Sequence, residues 1–412
     1  MSNEKILVIA VRKPEQHVAR FQSSLDELIS LSSTAGGIVE AIITQNRTRI
    51  HPATYLGEGK LEEIKKEIED KDIDLVISND ELSSGQLRNL NNYLGVRIID
   101  RSQLILDIFA QRARTKEGKL QVELAQLEYL LPRLRGQGIE LSRLGAGIGT
   151  RGPGETKLET DRRHIRRRIF DIKRRLQLVV KQREQYRKRR KENNVFQIAI
   201  VGYTNAGKST LFNKLTNSDS LEEDKLFATL DPLTRKLELP SGFEALITDT
   251  VGFLQDLPTS LIAAFRSTLE EVAEADFLLH VVDGSHIDQE QHQQTVVKLL
   301  EDLDAHQIPM LYVYNKKDLI EGNFFPQNHP FILISAHEEE DVKHTLEKIE
   351  AVLKDEWAPF SVELEADQGK VLSELEREAI VTEKFFDEEN NNYVMKGFIQ
   401  EDHTLNNILK EK

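Results

Sequence analysis

Eight residues, Gly202 to Ser209, read GYTNAGKS and carry the spacing GxxxxGK[ST] between an apolar run and an amphipathic stretch. In a strand, loop, helix setting that spacing binds phosphate, because main-chain N–H groups of the loop and the helix N-terminus point at the anion. Gly202, Tyr203, Thr204, Asn205, Ala206, Gly207, Lys208, Ser209 and Thr210 are therefore expected to surround the β-phosphate of a nucleotide. Lys208 would supply a cation to the β- and γ-phosphates, and the Ser209 hydroxyl is placed to ligate Mg²⁺. The pattern is short enough to arise by chance, so its companions decide.

The first companion is DTVG, Asp249, Thr250, Val251 and Gly252, at the end of the apolar run FEALITD. Asp249 would hold Mg²⁺ through a water, and the Gly252 N–H would sense the γ-phosphate. The second is NKKD, Asn315, Lys316, Lys317 and Asp318, after PMLYVYN. A carboxylate there accepts from both N1–H and N2–H of guanine. Adenine offers neither donor, so a buried Asp318 would stay unpaired at a cost of about 1 to 3 kcal/mol. Asn315 would brace the base and the P-loop, and Lys316 would lay its stem over the ring. The third is SAH, Ser335, Ala336 and His337, where the Ala336 N–H suits the guanine O6. Between the first two motifs lies FATLDPLTR, Phe227 to Arg235, where a switch loop belongs. Phe227, Ala228, Thr229, Leu230 and Asp231 are expected at the nucleotide, with Thr229 as second Mg²⁺ ligand in the triphosphate state and Thr234 as runner-up.

Four motifs in this order point to binding and hydrolysis of GTP, with Lys208, Thr229 and Gly252 as the catalytic set. Many GTPases orient the attacking water with a glutamine after DxxG; here Phe253 follows, and it cannot hydrogen-bond water. Slow intrinsic turnover, stimulated by a partner that orders the switches, is the expectation. Asn205 raises a second idea, since asparagine at this position resembles GTPases in which K⁺ supplies the charge an arginine gives elsewhere. A loop-stabilising asparagine is the alternative.

Such residues need strands to present them. From Val195 the runs VFQIAIV, FEALITD, FLLHVVD, PMLYVYN and PFILIS are separated by helix patterns, the arrangement of a doubly wound α/β sheet, assigned to 194–357. Before it, over 1–115, ILVIAV, GIVEAIIT, DLVIS and VRIID alternate with amphipathic stretches and predict a small α/β domain with a mostly parallel sheet. Residues 116–193 predict an antiparallel helical arm: Leu120, Leu124, Leu127, Leu131 and Leu134 match the seam Ile165, Ile169, Ile172, Leu176 and Val179. A single solvated helix is the alternative. The tip loop, 136–158, holds seven glycines between Gly136 and Gly154, flanked by Arg133, Arg135, Arg143 and Arg151. It is either a flexible linker or, as the guanidinium groups favour, a surface moulded to a partner. After it, 358–412 predict a small acidic α+β domain.

The chain of 412 residues has no cysteine, which excludes disulfides and thiolate chemistry, and no apolar run long enough to span a membrane. Its N-terminus reads as a strand rather than an export signal, and a monomer in the cytoplasm is expected. The net charge of −14 argues against a polyanion partner, but it is uneven. Asp161 to Glu192 holds fifteen Lys or Arg against four Asp or Glu, whereas Asp355 to Lys412 holds fifteen acidic against six basic residues. Contact with RNA, if made, belongs to the arm: Arg143, Arg151, Arg162, Arg163, Arg166, Arg167 and Arg174.

Taken together, GIGTRGPGETKLETDRR (Gly147 to Arg163), GYTNAGKSTLFN, LFATLDPLTR, TDTVGFL and NKKDL resemble the HflX family of bacterial ribosome-associated GTPases, from near Lys5 to about Asp355. Leu233 departs from the threonine usual there. The resemblance implies that the N-terminal domain and arm bind the large ribosomal subunit and its RNA, with the glycine-rich loop towards the peptidyl-transferase region. It also implies dissociation of stalled or idle ribosomes, with GTP favouring binding and hydrolysis resetting the protein. Two other readings compete: a regulatory GTPase that recruits a protein effector through its coiled coil, and an RNA-remodelling nucleotidase, which Asp318 disfavours.

Overall fold

The computed structural model describes residues 4–134, 153–192, 194–217, 226–227, 229–230, 232–255, 271–365, 367–388, 391–401, 403 and 405. The chain divides into two compact units. The first comprises Met1–Val180, Lys225–Leu230 and Gln255–Arg266; the second comprises Lys181–Asp224, Asp231–Leu254 and Ser267–Lys412.

In the first unit the four apolar runs are strands β1 (Lys5–Arg12), β2 (Ile38–Asn46), β3 (Leu75–Ser78) and β4 (Arg97–Asp100). They form a parallel sheet in the order β2-β1-β3-β4. The central strands are buried on both faces, which is why they read as unbroken apolar runs rather than alternating ones. Helices α1 (Val18–Thr34), α2 (Glu58–Lys71), α3 (Ser84–Leu94) and α4 (Arg101–Arg112) connect and cover them. Their starts are written in the sequence: Ser83 and Gln86 make a capping box before α3, and the Asp100 carboxylate accepts from Gln103 N–H to open α4.

Thr115 caps α5 (Lys116–Arg133). The face it buries is Gln121, Val122, Leu124, Ala125 and Tyr129, while Leu127, Leu131 and Leu134 of the expected seam are only half-buried. The helix packs against α4, and Leu124 belongs both to the expected seam and to the buried face. The long helix α6 (Pro153–Glu192) starts inside the stretch expected to be loop, opening on a proline whose fixed φ suits a first turn. Ile172 on α6 is fully buried, and Arg168 and Lys173 reach Glu123 and Glu128 of α5 at 2.6 and 2.7 Å. Gly136, Arg143 and Arg151 lie outside the described residues.

The second unit holds a sheet in the order β10-β9-β8-β5-β7-β6. The five expected runs supply β5 (Gln197–Gly202), β7 (Glu244–Asp249), β8 (Phe277–Asp283), β9 (Met310–Asn315) and β10 (Phe331–Leu333), all parallel. The strand missed was β6 (Leu233–Glu238), which pairs antiparallel with β7 at the edge. Half-exposed and rich in charge, it resembled loop in composition. Helices α7 (Lys208–Thr216), α8 (Gln289–Asp302) and α9 (Glu339–Glu356) pack on this sheet. Beyond α9, β11 (Ala358–Glu365), α10 (Gly369–Glu378), β12 (Ile380–Asp387) and β13 (Asn392–Ile399) form a small α+β layer with sheet order β11-β13-β12. An edge-to-face cluster of Phe196, Phe243 and Trp357 lies between the two sheets' cores. Among the described residues no helix is long and apolar enough to cross a membrane.

Candidate nucleotide site

The loop after β5 is held by contacts that leave room only for glycine at its ends. Gly202, at φ +154°, lies so close to β8 that a Cβ would fall 2.2 Å from the Val281 carbonyl oxygen. Gly207, at φ +90°, has the Asn315 Nδ2 where a Cβ would stand, 2.1 Å away. That amide donates to the Ala206 carbonyl at 3.0 Å, while its Oδ1 accepts from the Ala336 N–H at 2.9 Å. Asn315 thus clamps two loops 130 residues apart in sequence, from Ala206 to Ala336. The Ala336 N–H, expected to be reserved for guanine O6, is here given to Asn315.

Lys208 opens α7 and is buried, its ammonium donating to the Tyr203 carbonyl at 2.7 Å. Burial pulls its pKa down from 10.5 to about 8, and the Asp249 carboxylate opposes that fall. Ser209 donates to Asp249 Oδ2 at 2.8 Å, so the hydroxyl and carboxylate suited to Mg²⁺ lie side by side. These are hard oxygen donors in a buried setting, a set that fits Mg²⁺ completed by phosphate and water. Thr250 turns away, donating to the Ile200 carbonyl at 2.6 Å. The strand-like start of the DTVG segment continues past it: Phe253 N–H donates to the Gly202 carbonyl at 3.1 Å, and Thr204 N–H to the Phe253 carbonyl at 2.7 Å. Phe253 itself is 2% exposed and packs with Ala199 and Val201. Val251 is buried beside it, and Asn205 stands exposed at φ +60°. Thr210 is half-buried on the first turn of α7.

At the base-recognition end, Lys316 takes a left-handed conformation, φ +64°, and its ammonium meets Asp283 Oδ2 at 2.7 Å. Burial raises the Asp283 pKa, but hydrogen bonds from Lys316 and Ser285 outweigh it and hold the carboxyl below the usual range. Asp318 is exposed on the short turn Lys317–Leu319, not buried as its sequence role suggested. The Lys317 ammonium contacts Asp341 at 2.6 Å and Glu338 at 2.9 Å, tying the loop to α9. Asp341 also accepts from the Ser335 N–H at 2.6 Å, and His337 is exposed.

Sequence reading missed a ring stack. Tyr203 of the P-loop lies flat on His292, 3.8 Å between ring centres, and His292 touches His286. Burial, then the neighbouring His286, lowers the His292 pKa to about 4, so the stack is neutral at physiological pH. Nothing in the local spacing could have paired residues 203 and 292.

The switch stretch divides. Thr234 faces Thr248 across the β6–β7 pair, hydroxyl to hydroxyl at 2.9 Å, which commits the runner-up metal ligand to the sheet. Thr229 is half-buried in the segment Lys225–Leu230 that belongs to the first unit, where Phe227, at φ +57°, rests edge-on against Phe109 of α4, ring centres 4.5 Å apart. Leu230 is buried, and Ala228 and Asp231 lie outside the described residues. On the arm, Arg163, Arg166, Arg167 and Arg174 are exposed, while Arg162 is half-buried.

Comparison with known proteins follows the same division. Residues 22–110 match a family described as GTP-binding GTPase N-terminal, 112–190 its middle region, and 197–316 a family described as 50S ribosome-binding GTPase. The chain is 56% identical to GTPase HflX of Alkalihalophilus pseudofirmus over 95% of this chain and 93% of that protein. It is 42% identical to GTPase HflX of Escherichia coli K12 over 89% and 88%. Among solved structures it is similar to a GTP-binding protein from Sulfolobus solfataricus in complex with GDP, at 23% identity and a TM-score of 0.46, over 85% of this chain and 98% of that one.

Proposed function

The chain belongs to the HflX family of GTPases, and from that premise we propose that it binds the large ribosomal subunit and dissociates stalled or idle ribosomes into subunits, GTP favouring the bound state and hydrolysis resetting the protein. The observation that carries the ribosome reading is the division of charge on α6. Arg168 and Lys173 are spent on Glu123 and Glu128, whereas Arg163, Arg166, Arg167 and Arg174 face solvent with their charge available to phosphate.

In the nucleotide cycle, main-chain N–H groups from Asn205 to Ser209 surround the β-phosphate and the Lys208 ammonium bridges β- and γ-phosphates. Ser209 and Asp249 would hold Mg²⁺, which when bound would neutralise charge on the phosphates. Asp318 accepts from the two guanine edge donors, Lys316 covers the ring under the hold of Asp283, and Asn315 keeps base loop and P-loop in register. The Gly252 N–H reads the γ-phosphate. Thr229 would supply a second metal ligand in the triphosphate state. Asn205, exposed on its left-handed turn, is available to K⁺, and turnover then falls when potassium is replaced by sodium.

The test is a titration of purified large subunits with the GTP-loaded protein at several salt concentrations. Phosphate recognition gives affinity that falls steeply as salt rises, and Glu in place of Arg166, Arg167 and Arg174 weakens it while sparing basal hydrolysis. Affinity indifferent to salt and to these substitutions would instead favour a protein effector.

A further inference from the structure

A buried polar side chain of the P-loop has no hydrogen-bond partner among the described residues. Thr204 is 7% exposed, and its Oγ1 is buried with no hydrogen bond to any described residue. Its N–H donates to the Phe253 carbonyl at 2.7 Å, which holds the main chain there in place. Its methyl group and Cα crowd Gly252: a Cβ there would fall 2.9 Å from Thr204 Cγ2, 3.1 Å from its Cα and 3.0 Å from Lys208 Nζ. The Thr204 side chain, through its methyl carbon, therefore converges with the phosphate-binding ammonium and the glycine whose N–H reads the γ-phosphate, and a turn of about 120° about its Cα–Cβ bond gives that point to the hydroxyl.

A threonine whose hydroxyl is buried without a partner is worse for the fold than valine of the same shape, because desolvation is not offset by a bond. The neighbouring position, which in many GTPases holds the water-orienting glutamine, is Phe253, whose ring is in the core and whose main chain is in the ladder with the P-loop. We propose that the Thr204 hydroxyl is a catalytic group of the GTPase reaction that hydrogen-bonds an oxygen of the γ-phosphoryl group during transfer. In that step water forms a bond to the γ-phosphorus as the bond to the β,γ-bridging oxygen breaks. GDP leaves with the bond's electron pair, and the water's proton ends on the phosphate released. The hydroxyl donates to an equatorial oxygen, supplementing Lys208 where negative charge is shared among the three. The proposal rests on the phosphate-binding roles of Lys208 and Gly252.

Thr204→Val keeps the shape and removes the bond; Thr204→Ser keeps the hydroxyl. For the full chain, single-turnover GTP hydrolysis, GDP affinity, affinity for GDP with aluminium fluoride, and melting temperature are measured on each. Expected for the valine variant is a rate roughly tenfold to hundredfold lower, as loss of a bond to a charged group implies. GDP affinity is unchanged, aluminium fluoride binding is weakened and the melting temperature is equal or higher; serine restores the rate. Wild-type hydrolysis by Thr204→Val, or a lowered melting temperature with an unchanged rate, overturns the proposal. If valine perturbs the loop, seen as lost GDP affinity, Thr204→Ala replaces it under the same criteria. Failure of the wild-type protein to bind GDP would instead strike the underlying site.

Discussion

Both units of the molecule present the carboxyl edge of a parallel sheet where the chain reverses direction, yet only one of those edges is built to receive a ligand. In the first unit the polar groups beyond β3 and β4 are tied to one another. Asp80 accepts from the Tyr55 hydroxyl, which itself accepts from the Val11 N–H. Arg101 binds Glu27 at 2.8 Å, Asn79 and the Ser24 carbonyl. Asp100, fully buried, caps α4 and accepts from Leu82 N–H and from Arg133, whose guanidinium also stacks on Tyr129 at 3.4 Å. In the second unit the corresponding edge is lined by glycine, by an ammonium that burial has pulled to about 8, and by a hydroxyl with no hydrogen-bond partner among the described residues. A switch point in an open sheet becomes a binding site where glycines let the main chain approach a ligand, and a structural joint where side-chain ion pairs fill it.

The strongest test of that contrast breaks the joint. Arg133→Met leaves the Asp100 carboxylate buried with one cation fewer and removes the stack on Tyr129. Loss of one partner from a buried pair costs about 3–5 kcal/mol. Urea unfolding should show the first unit destabilised by that order, while GDP affinity, which belongs to the other edge, stays the same. An unchanged unfolding midpoint would mean that the network is surface decoration. Arg133 was read from sequence as a cation beside a partner-binding loop; composition could not reveal that Glu81 and Asp100, 52 and 33 residues earlier, had already claimed it.

At the open edge the next largest effect concerns base selection. Asp318→Asn keeps the size of the side chain but turns half of the acceptor into a donor. GTP and GDP affinity should fall about 30-fold to 100-fold, or about 2 to 3 kcal/mol, and xanthosine nucleotides, whose C2 oxygen accepts, should now bind better than guanosine ones. Competition calorimetry with GDP and XDP reads this directly. Retained guanine preference would move base recognition away from the turn Lys317–Leu319.

What was legible in the sequence differs between the two edges for the same reason. The P-loop, DTVG and NKKD segments are local, so spacing alone located Lys208, Ser209, Asp249, Asn315 and Asp318, and the buried strands that carry them were visible as apolar runs. Contacts between segments distant in sequence were not visible. Asn315 taking the Ala336 N–H, Lys317 turning to Asp341, and Tyr203 stacking on His292 each join residues whose identities carry no sign of the other. Along α5 the buried face runs through Val122, Leu124, Ala125 and Tyr129, and periodicity does not say which apolar positions α4 takes.

The smallest effect follows from the state of Lys208 before nucleotide arrives. With a folded pKa lowered to about 8, the ammonium is charged below that pH and loses its proton as pH rises through it, whereas in the unfolded chain it stays charged until about 10.5. The unfolded state then binds more protons between the two values, so this group makes the nucleotide-free protein more stable as pH climbs from about 8 towards 10.5. Binding runs the other way, because the phosphates require the cation. Above about pH 8 each molecule of GDP bound must recover a proton, and affinity should fall by up to tenfold per pH unit, or about 1.4 kcal/mol. Calorimetry in buffers of different ionisation enthalpy would register that uptake. Lys208→Arg, which keeps its charge throughout this range, should abolish the uptake whatever it does to affinity. An equal pH profile in the two proteins would show that burial at this edge does not discharge the lysine, and that the open edge is less distinct from the closed one than their bonding suggests.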